Sequence, residues 1–155
     1  MSALKVELVA ADRPVWSGSA RLVVARTVDG EIGVLPGHES LLAVLADGLV
    51  IIRGAGDDPD RVAAVHGGFI SVADDTVALL AETAELAEEI DVERARAALE
   101  RARNGGPEGE PPVVGEAAGA NLREGAGGDL LEAERRAETR LRAAETHLRA
   151  GDSHL

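Results

Sequence analysis

The four histidines are the side chains best suited to bind a metal or transfer a proton, and they are dispersed along the chain at His38, His66, His147 and His154. No two of them have the spacing of metal ligands on a helix, so we expect no metal site. The chain also has no cysteine, which excludes thiolate ligands and cysteine nucleophiles.

The motifs of common catalytic sites are missing as well. The sequence contains no P-loop, no G-x-S-x-G nucleophile elbow and no H-E-x-x-H zinc motif. The run Gly37-His38-Glu39-Ser40 has only a superficial likeness to a hydrolase turn. We therefore predict no catalytic residue, and a hydrolase that depends on His38 or Glu39 is kept as a minor alternative.

The charge balance limits the possible partners. Lys and Arg number 16 against 28 Asp and Glu, which gives a formal net charge of −12, and Lys5 is the single lysine. Nucleic-acid binding needs clustered cations that displace phosphate counterions, so we expect no nucleic-acid partner. The longest apolar runs, 41–46 and 49–52, are far shorter than the roughly 20 residues that cross a bilayer. No secretory segment follows Met1, which favours a location inside the cell.

Residues 1–87 alternate short β-favouring runs with turn residues. Leu4, Val6 and Leu8 alternate with polar residues, and Asp-Gly or Gly-Gly pairs separate the later runs. Because no helical segment long enough for a crossover lies between the runs, we predict an antiparallel β-sandwich. We expect Phe69, which follows a glycine pair, to enter its core.

From residue 88 the pattern becomes helical. Apolar residues recur at helical spacing through the segment 88–103, and Asp91 is placed to cap the start of this first helix. A second helix is predicted over 129–150, with Asp129 as its N-cap, and a short tail over 151–155. Both apolar stripes are rich in alanine, which buries little area per contact, so we expect the helices to dock weakly.

The segment 104–128 between the two helices is rich in glycine and proline. It has too few apolar side chains to offset its chain entropy, and we predict a flexible linker. The predicted fold class is therefore α+β: an N-terminal antiparallel β-sandwich followed by a C-terminal two-helix hairpin with a long flexible inter-helix linker.

A specific combination of motifs resembles a known family. The run Glu31-Ile32-Gly33-Val34-Leu35-Pro36-Gly37-His38 is followed, at the appropriate distance, by Gly67-Gly68-Phe69 and then by Ile90-Asp91. This combination resembles the epsilon subunit of F-type, proton-translocating ATP synthases. The resemblance covers residues 1–103 and resumes near residue 129.

The resemblance implies a non-catalytic role in the central rotor stalk that couples proton flow to ATP synthesis. The sandwich would contact the gamma subunit and the c-ring, with Glu31 and His38 at the rotor interface. The chain would then lie at the cytoplasmic face of the plasma membrane in a bacterial-type complex, associated with the membrane only through that complex. Docked helices would permit ATP hydrolysis, whereas helices extended along gamma would reach the alpha and beta subunits and inhibit it.

The resemblance also implies a site for regulatory ATP, although no cofactor is required. The run Ile90-Asp91-Val92-Glu93-Arg94-Ala95 matches the [IL]-D-x-x-R-A pattern through which some bacterial epsilon subunits bind ATP. The implied ATP-binding residues are Glu85, Ile90, Asp91, Arg94, Ala95, Arg101, Arg136 and Arg140.

Simpler interpretations of these residues stay open. Asp91 is an ordinary helix N-cap, and Glu132 with Arg136 is an i,i+4 pair that stabilises a helix by about 0.2 to 0.5 kcal/mol. Moreover, the long linker leaves the geometry of the hairpin less constrained than the short connection usual in the family. The alternative function is a free-standing ATP-sensing module made of a β-sandwich and a helical lid.

Overall fold

Strict alternation of apolar and polar residues builds the first strand, in which Leu4, Val6 and Leu8 are buried while Lys5 and Glu7 are exposed. The computed structural model describes residues 2–104 and 123–151, and the side chains of 131–149 within the second segment. The strands are β1 Leu4–Ala10, β2 Pro14–Thr27, β3 Gly30–Val34, β4 Leu41–Val44, β5 Gly48–Gly54, β6 Arg61–His66, β7 Phe69–Ala73, β8 Thr76–Ala81 and β9 Thr83–Leu86. A 3-10 turn over Ala87–Glu89 leads into helices α1 Val92–Arg103 and α2 Arg123–Gly151.

The strands follow the order β4-β7-β8-β1-β2-β5-β6-β9, and β3 pairs with β2. Their inward side chains form one aliphatic cluster with Leu8, Ile52, Ile70 and Leu79 near its centre, each fully buried. The predicted class, a β-sandwich followed by two helices, is thus confirmed. One pairing differs from the antiparallel prediction, because β1 and β8 run parallel.

Phe69 does not enter the core, contrary to the prediction. Its side chain is 51% exposed, whereas Ile70 is fully buried. The reason lies in Gly68, whose backbone has a φ of +106° and passes so close to Leu80 that a Cβ would meet the Leu80 carbonyl oxygen. Strand β7 therefore starts with Phe69 on the outer face, and alternation places Ile70 inside.

The helices pack on the outer face of β6 and form a second, smaller core. This core consists of buried residues from strand β6, the segment that follows β9, and both helices: Val62, Ala64, Ala87, Ile90, Ala95, Ala143 and Ala144. The carboxylate of Asp91 caps α1 by accepting a hydrogen bond from the Arg94 main-chain N–H at 3.1 Å, as the sequence predicts. Alanines thus supply most of the seam between the hairpin and the sandwich.

Ion pairs join the two helices at the C-terminal end of α1. Arg103, the last residue of α1, contacts Glu134 through Nε at 3.0 Å and Glu138 through Nη2 at 2.9 Å. Glu134 and Glu138 therefore hold α2 to α1.

Helix α2 begins at Arg123, six positions before the predicted start at Asp129. Glycines at 125, 127 and 128 suggest a linker, yet each costs a helix only about 1 kcal/mol relative to alanine. Extension of an established helix is easier than nucleation, so the backbone remains helical through them. The rest of the predicted linker, 105–122, and the end of the predicted tail, 152–155, lie outside the described residues.

Candidate functional site

A pocket of about 390 Å³ lies between α2 and the paired strands β6 and β9. Its floor is set by strand alternation, since Ala64 and His66 share the face of β6 that points away from the main core. In the antiparallel register Ala64 lies opposite Glu85, and His66 lies opposite Thr83. These four side chains therefore form one continuous patch beneath α2.

The walls of the pocket are charged. Helix α2 contributes Arg136 and Arg140, which lie one helical turn apart, and the β1–β2 turn contributes Asp12 and Arg13. Three arginines and two carboxylates thus surround the pocket when Glu85 of the floor is included. Its lining carries a net positive charge in a chain whose formal net charge is −12.

Glu85 and Arg140 form an ion pair between the strands and α2. The Arg140 Nε lies 2.6 Å from Glu85 Oε2, and Arg140 Nη2 donates to Glu85 Oε1 at 3.2 Å. The Arg140 side chain is only a quarter exposed. In contrast, Arg136 pairs within α2 with Glu132 at 3.1 Å, and both of those side chains are more than half exposed. Such exposed pairs contribute little free energy.

His66 is buried in this pocket. Its side chain is 10% exposed, neither ring nitrogen makes a hydrogen bond to any of the described residues, and its Nδ1 lies 3.8 Å from the nearest oxygen of Asp47. Burial lowers the pKa of His66; Asp47 raises it and Arg136 lowers it further, with a net lowering. The ring is therefore neutral at neutral pH.

A second surface lies on the outer face of the sandwich. In the strand register Val44 is opposite Phe69, Phe69 is opposite Leu80, and Leu80 is opposite Val9. We call these four residues the apolar stripe. Phe69 and Leu80 are each about half exposed, and Leu42, two positions along β4 from Val44, is 72% exposed. A contiguous exposed apolar face of this kind is typical of a protein–protein interface.

The described residues show two further absences. In residues 2–104 and 123–151 no group of three or more His, Asp or Glu side chains is arranged to hold a metal ion. Within the same described ranges no helix is both long enough and apolar enough to cross a bilayer.

Comparison with known proteins places the chain in a family. The family model of the ATP synthase delta/epsilon chain β-sandwich domain matches residues 3–87. The protein named ATP synthase epsilon chain in Streptomyces avermitilis is 55% identical over 140 residues, covering 90% of this chain and 94% of the relative. The chain belongs to the ATP synthase epsilon chain family.

Other similarities agree with this family. The ATP synthase epsilon chain of Streptomyces griseus is 65% identical over 101 residues, covering 65% of this chain and 81% of the relative. Among solved structures, a chain of the Euglena gracilis mitochondrial ATP synthase, in its OSCP/F1/c-ring assembly, is 25% identical with a TM-score of 0.64. That similarity covers 96% of this chain and 82% of the other.

The structure brings together only some of the ATP-binding residues implied by the resemblance to epsilon subunits. Glu85, Arg136 and Arg140 line the pocket. Ile90 and Ala95 are buried in the second core instead, beneath α2. The remaining three lie on or beside α1 with exposed side chains and are not among the described lining residues, namely Asp91, Arg94 and Arg101.

Two residues of this epsilon-family chain were predicted to lie at a rotor interface. Glu31 is exposed on β3, opposite Arg26 of β2. His38 lies in the turn after β3, where its Nδ1 is 2.8 Å from the main-chain oxygen of Glu39 and its main-chain N–H donates to Leu35 at 3.1 Å. Their interface role stays a prediction.

His66 was not among the residues predicted from sequence. The signal that could have found it is alternation, since His66 ends the apolar strand β6 on the same side as Val62 and Ala64. A histidine continuing that apolar face must be buried by whatever covers the strand.

Proposed function

We propose that this chain is the epsilon subunit of the central stalk in a bacterial proton-translocating ATP synthase. It makes and breaks no covalent bond itself; its sandwich transmits torque by holding the gamma subunit to the c-ring. It lies at the cytoplasmic face of the plasma membrane and associates with that membrane only through the complex. The observation that carries the proposal is the apolar stripe, a large exposed face on the sandwich of an epsilon-family chain.

The hairpin is proposed to act as a brake on ATP hydrolysis. In the docked state its alanine seam covers β6 and leaves the enzyme active. Extended along gamma, the helices reach the alpha and beta subunits and block hydrolysis. A switch of this kind needs states separated by only a few kcal/mol, and the small side chains of Ala95, Ala143 and Ala144 bury correspondingly little area.

Regulatory ATP is proposed to bind in the pocket between the strands and α2. The floor belongs to the sandwich and Arg136 and Arg140 belong to the hairpin, so a bound ligand contacts both parts at once. Arginines bind phosphate oxygens with charge-assisted hydrogen bonds. Any ligand that binds only the docked state stabilises it by RT ln(1 + [L]/Kd).

A native pull-down tests the rotor role. The tagged chain is purified from detergent-solubilised membranes, and the co-eluting subunits are identified by mass. We expect gamma, alpha, beta and the c-ring in an eluate that hydrolyses ATP. Recovery of the chain alone, from cells whose ATP synthase purifies intact with another epsilon subunit, would overturn the rotor role and favour the free-standing ATP-sensing module.

A further inference from the structure

His66 is a buried polar side chain that the described residues leave without a hydrogen bond. Buried polar groups are almost always hydrogen-bonded, so a nine-tenths buried imidazole with two unpaired nitrogens requires an explanation. Asp47 does not supply it, because 3.8 Å is too long for a hydrogen bond. The Asp47 carboxylate is also engaged elsewhere, accepting from the main-chain N–H of Gly67 at 3.0 Å.

Charged groups from four elements approach His66, and their arginines can bind an anion. Asp47 approaches from the turn before β5, Glu85 from β9, Arg136 and Arg140 from α2, and Asp12 and Arg13 from the β1–β2 turn. Among the described residues, Arg13 pairs with Glu89 at 3.5 Å and Arg136 pairs with the exposed Glu132. Because exposed pairs of this kind are weak, both arginines are able to exchange their carboxylates for phosphate oxygens.

We propose that His66 binds polyphosphate at the floor of the pocket, a role that rests on the proposed nucleotide site. When the ligand binds, the His66 ring takes up a proton from solvent and donates a hydrogen bond to a phosphate oxygen. A neutral ring is favoured before a ligand binds, because burial and the neighbouring arginines oppose a further positive charge. A polyphosphate reverses that balance, since its charge exceeds what the arginines alone neutralise.

The coupling between proton uptake and ligand binding determines how the affinity changes with pH. A ring that is protonated more readily in the complex than in the free chain strengthens binding as the pH falls. The phosphate of the ligand also titrates, and a variant without the imidazole keeps that contribution. The difference between the wild-type chain and that variant therefore isolates His66.

The test is calorimetric titration of the full chain with ATP at about pH 6 and about pH 8, in pairs of buffers with different protonation enthalpies. We compare the wild-type chain with His66→Asn, which keeps a polar side chain but does not titrate. The ratio of wild-type to variant affinity should be at least about threefold larger at the lower pH. Wild-type binding should also take up more protons per ATP. Inorganic tripolyphosphate should reproduce that uptake, and adenosine should not.

Nuclear magnetic resonance of the His66 ring nitrogens in the wild-type chain gives a readout that needs no variant. ATP should convert a neutral ring to a protonated one near neutral pH. If ATP binds but neither the ring signal nor the His66→Asn difference responds, the role of His66 is overturned while the nucleotide site stands. If the wild-type chain binds no ATP at either pH, both are overturned, and the rotor role is unaffected.

Discussion

Glu85 on β9 and Arg140 on α2 form a two-point ion pair between the sandwich and the hairpin, with contacts of 2.6 and 3.2 Å. Glu85 is positioned by its register opposite Ala64, and Arg140 by the alanine seam that fixes α2 against β6. The pair adds a directional contact to an interface that is otherwise made of small apolar side chains. It also occupies the edge of the pocket in which ATP is proposed to bind.

Removing the charge of Glu85 should loosen the hairpin. Glu85→Gln leaves the partly buried Arg140 without its carboxylate, and we expect docking to weaken by about 1 to 2 kcal/mol. Native-state hydrogen exchange of α2 amides measures this opening. The matched control is Glu132→Gln, which removes a carboxylate from the exposed partner of Arg136 and should change opening by less than about 0.5 kcal/mol. Equal effects of the two variants would contradict the role assigned to Glu85.

Undocking the hairpin and deleting it should have opposite effects on hydrolysis. Ala143 is fully buried against the strands, so Ala143→Glu puts an unpaired carboxylate there at a cost of more than about 3 kcal/mol and releases α2. ATP hydrolysis by the assembled complex should fall. Truncation after Ala87 should leave the sandwich folded and raise hydrolysis. Ala133→Glu, the same substitution on the exposed face of α2, is the control. Unchanged hydrolysis in the truncated complex would contradict the proposal that the hairpin inhibits ATP hydrolysis.

The apolar stripe should be needed for assembly and not for folding. Phe69 is half exposed, so Phe69→Asp should change the unfolding temperature of the isolated chain little. In a pull-down, recovery of gamma should fall at least about tenfold, equal to about 1.4 kcal/mol of binding. Leu131→Asp, which removes a comparably exposed apolar side chain from α2, should leave recovery unchanged. Normal recovery of gamma with Phe69→Asp would place the interface elsewhere.

Acidic pH should weaken docking in the ATP-free chain. In the docked state burial lowers the pKa of His66, Asp47 raises it and Arg136 lowers it further, with a net lowering. In the undocked state the hydrated ring has its ordinary pKa near 6.5. The contribution of the neutral ring to docking is therefore complete above about pH 6.5 and is lost as the pH falls toward the docked-state pKa. Hydrogen exchange of α2 between about pH 5.5 and pH 7.5 measures the loss, and His66→Gln should flatten it. Identical pH profiles of the wild-type chain and the variant would contradict the prediction that protonation of His66 weakens docking.

The sequence predicted the parts of the fold that follow from local pattern. Alternation located β1 and most of the sandwich strands, and Asp91 marked the start of α1. The short strands β4 and β9 were missed, since four residues carry little periodic signal. The orientation of Phe69 was missed because it depends on the close approach of Gly68 to Leu80, a contact between strands.

The candidate site was predictable only in part, because it is assembled from distant segments. Family motifs pointed to Glu85, Arg136 and Arg140, which the structure brings together. The position of His66 beneath α2 depends on which face of β6 the hairpin covers. The spacing of residues along the chain does not predict which face the hairpin covers.

A complementation experiment tests whether this chain is the stalk subunit of an ATP synthase. The gene for this chain is deleted from the bacterium that carries it, and inverted membrane vesicles are assayed for ATP-driven proton pumping with and without the restored chain. We expect pumping to be lost on deletion, to return with the wild-type chain and not to return with Phe69→Asp. Full pumping in vesicles that lack the chain would show that it is not the stalk subunit.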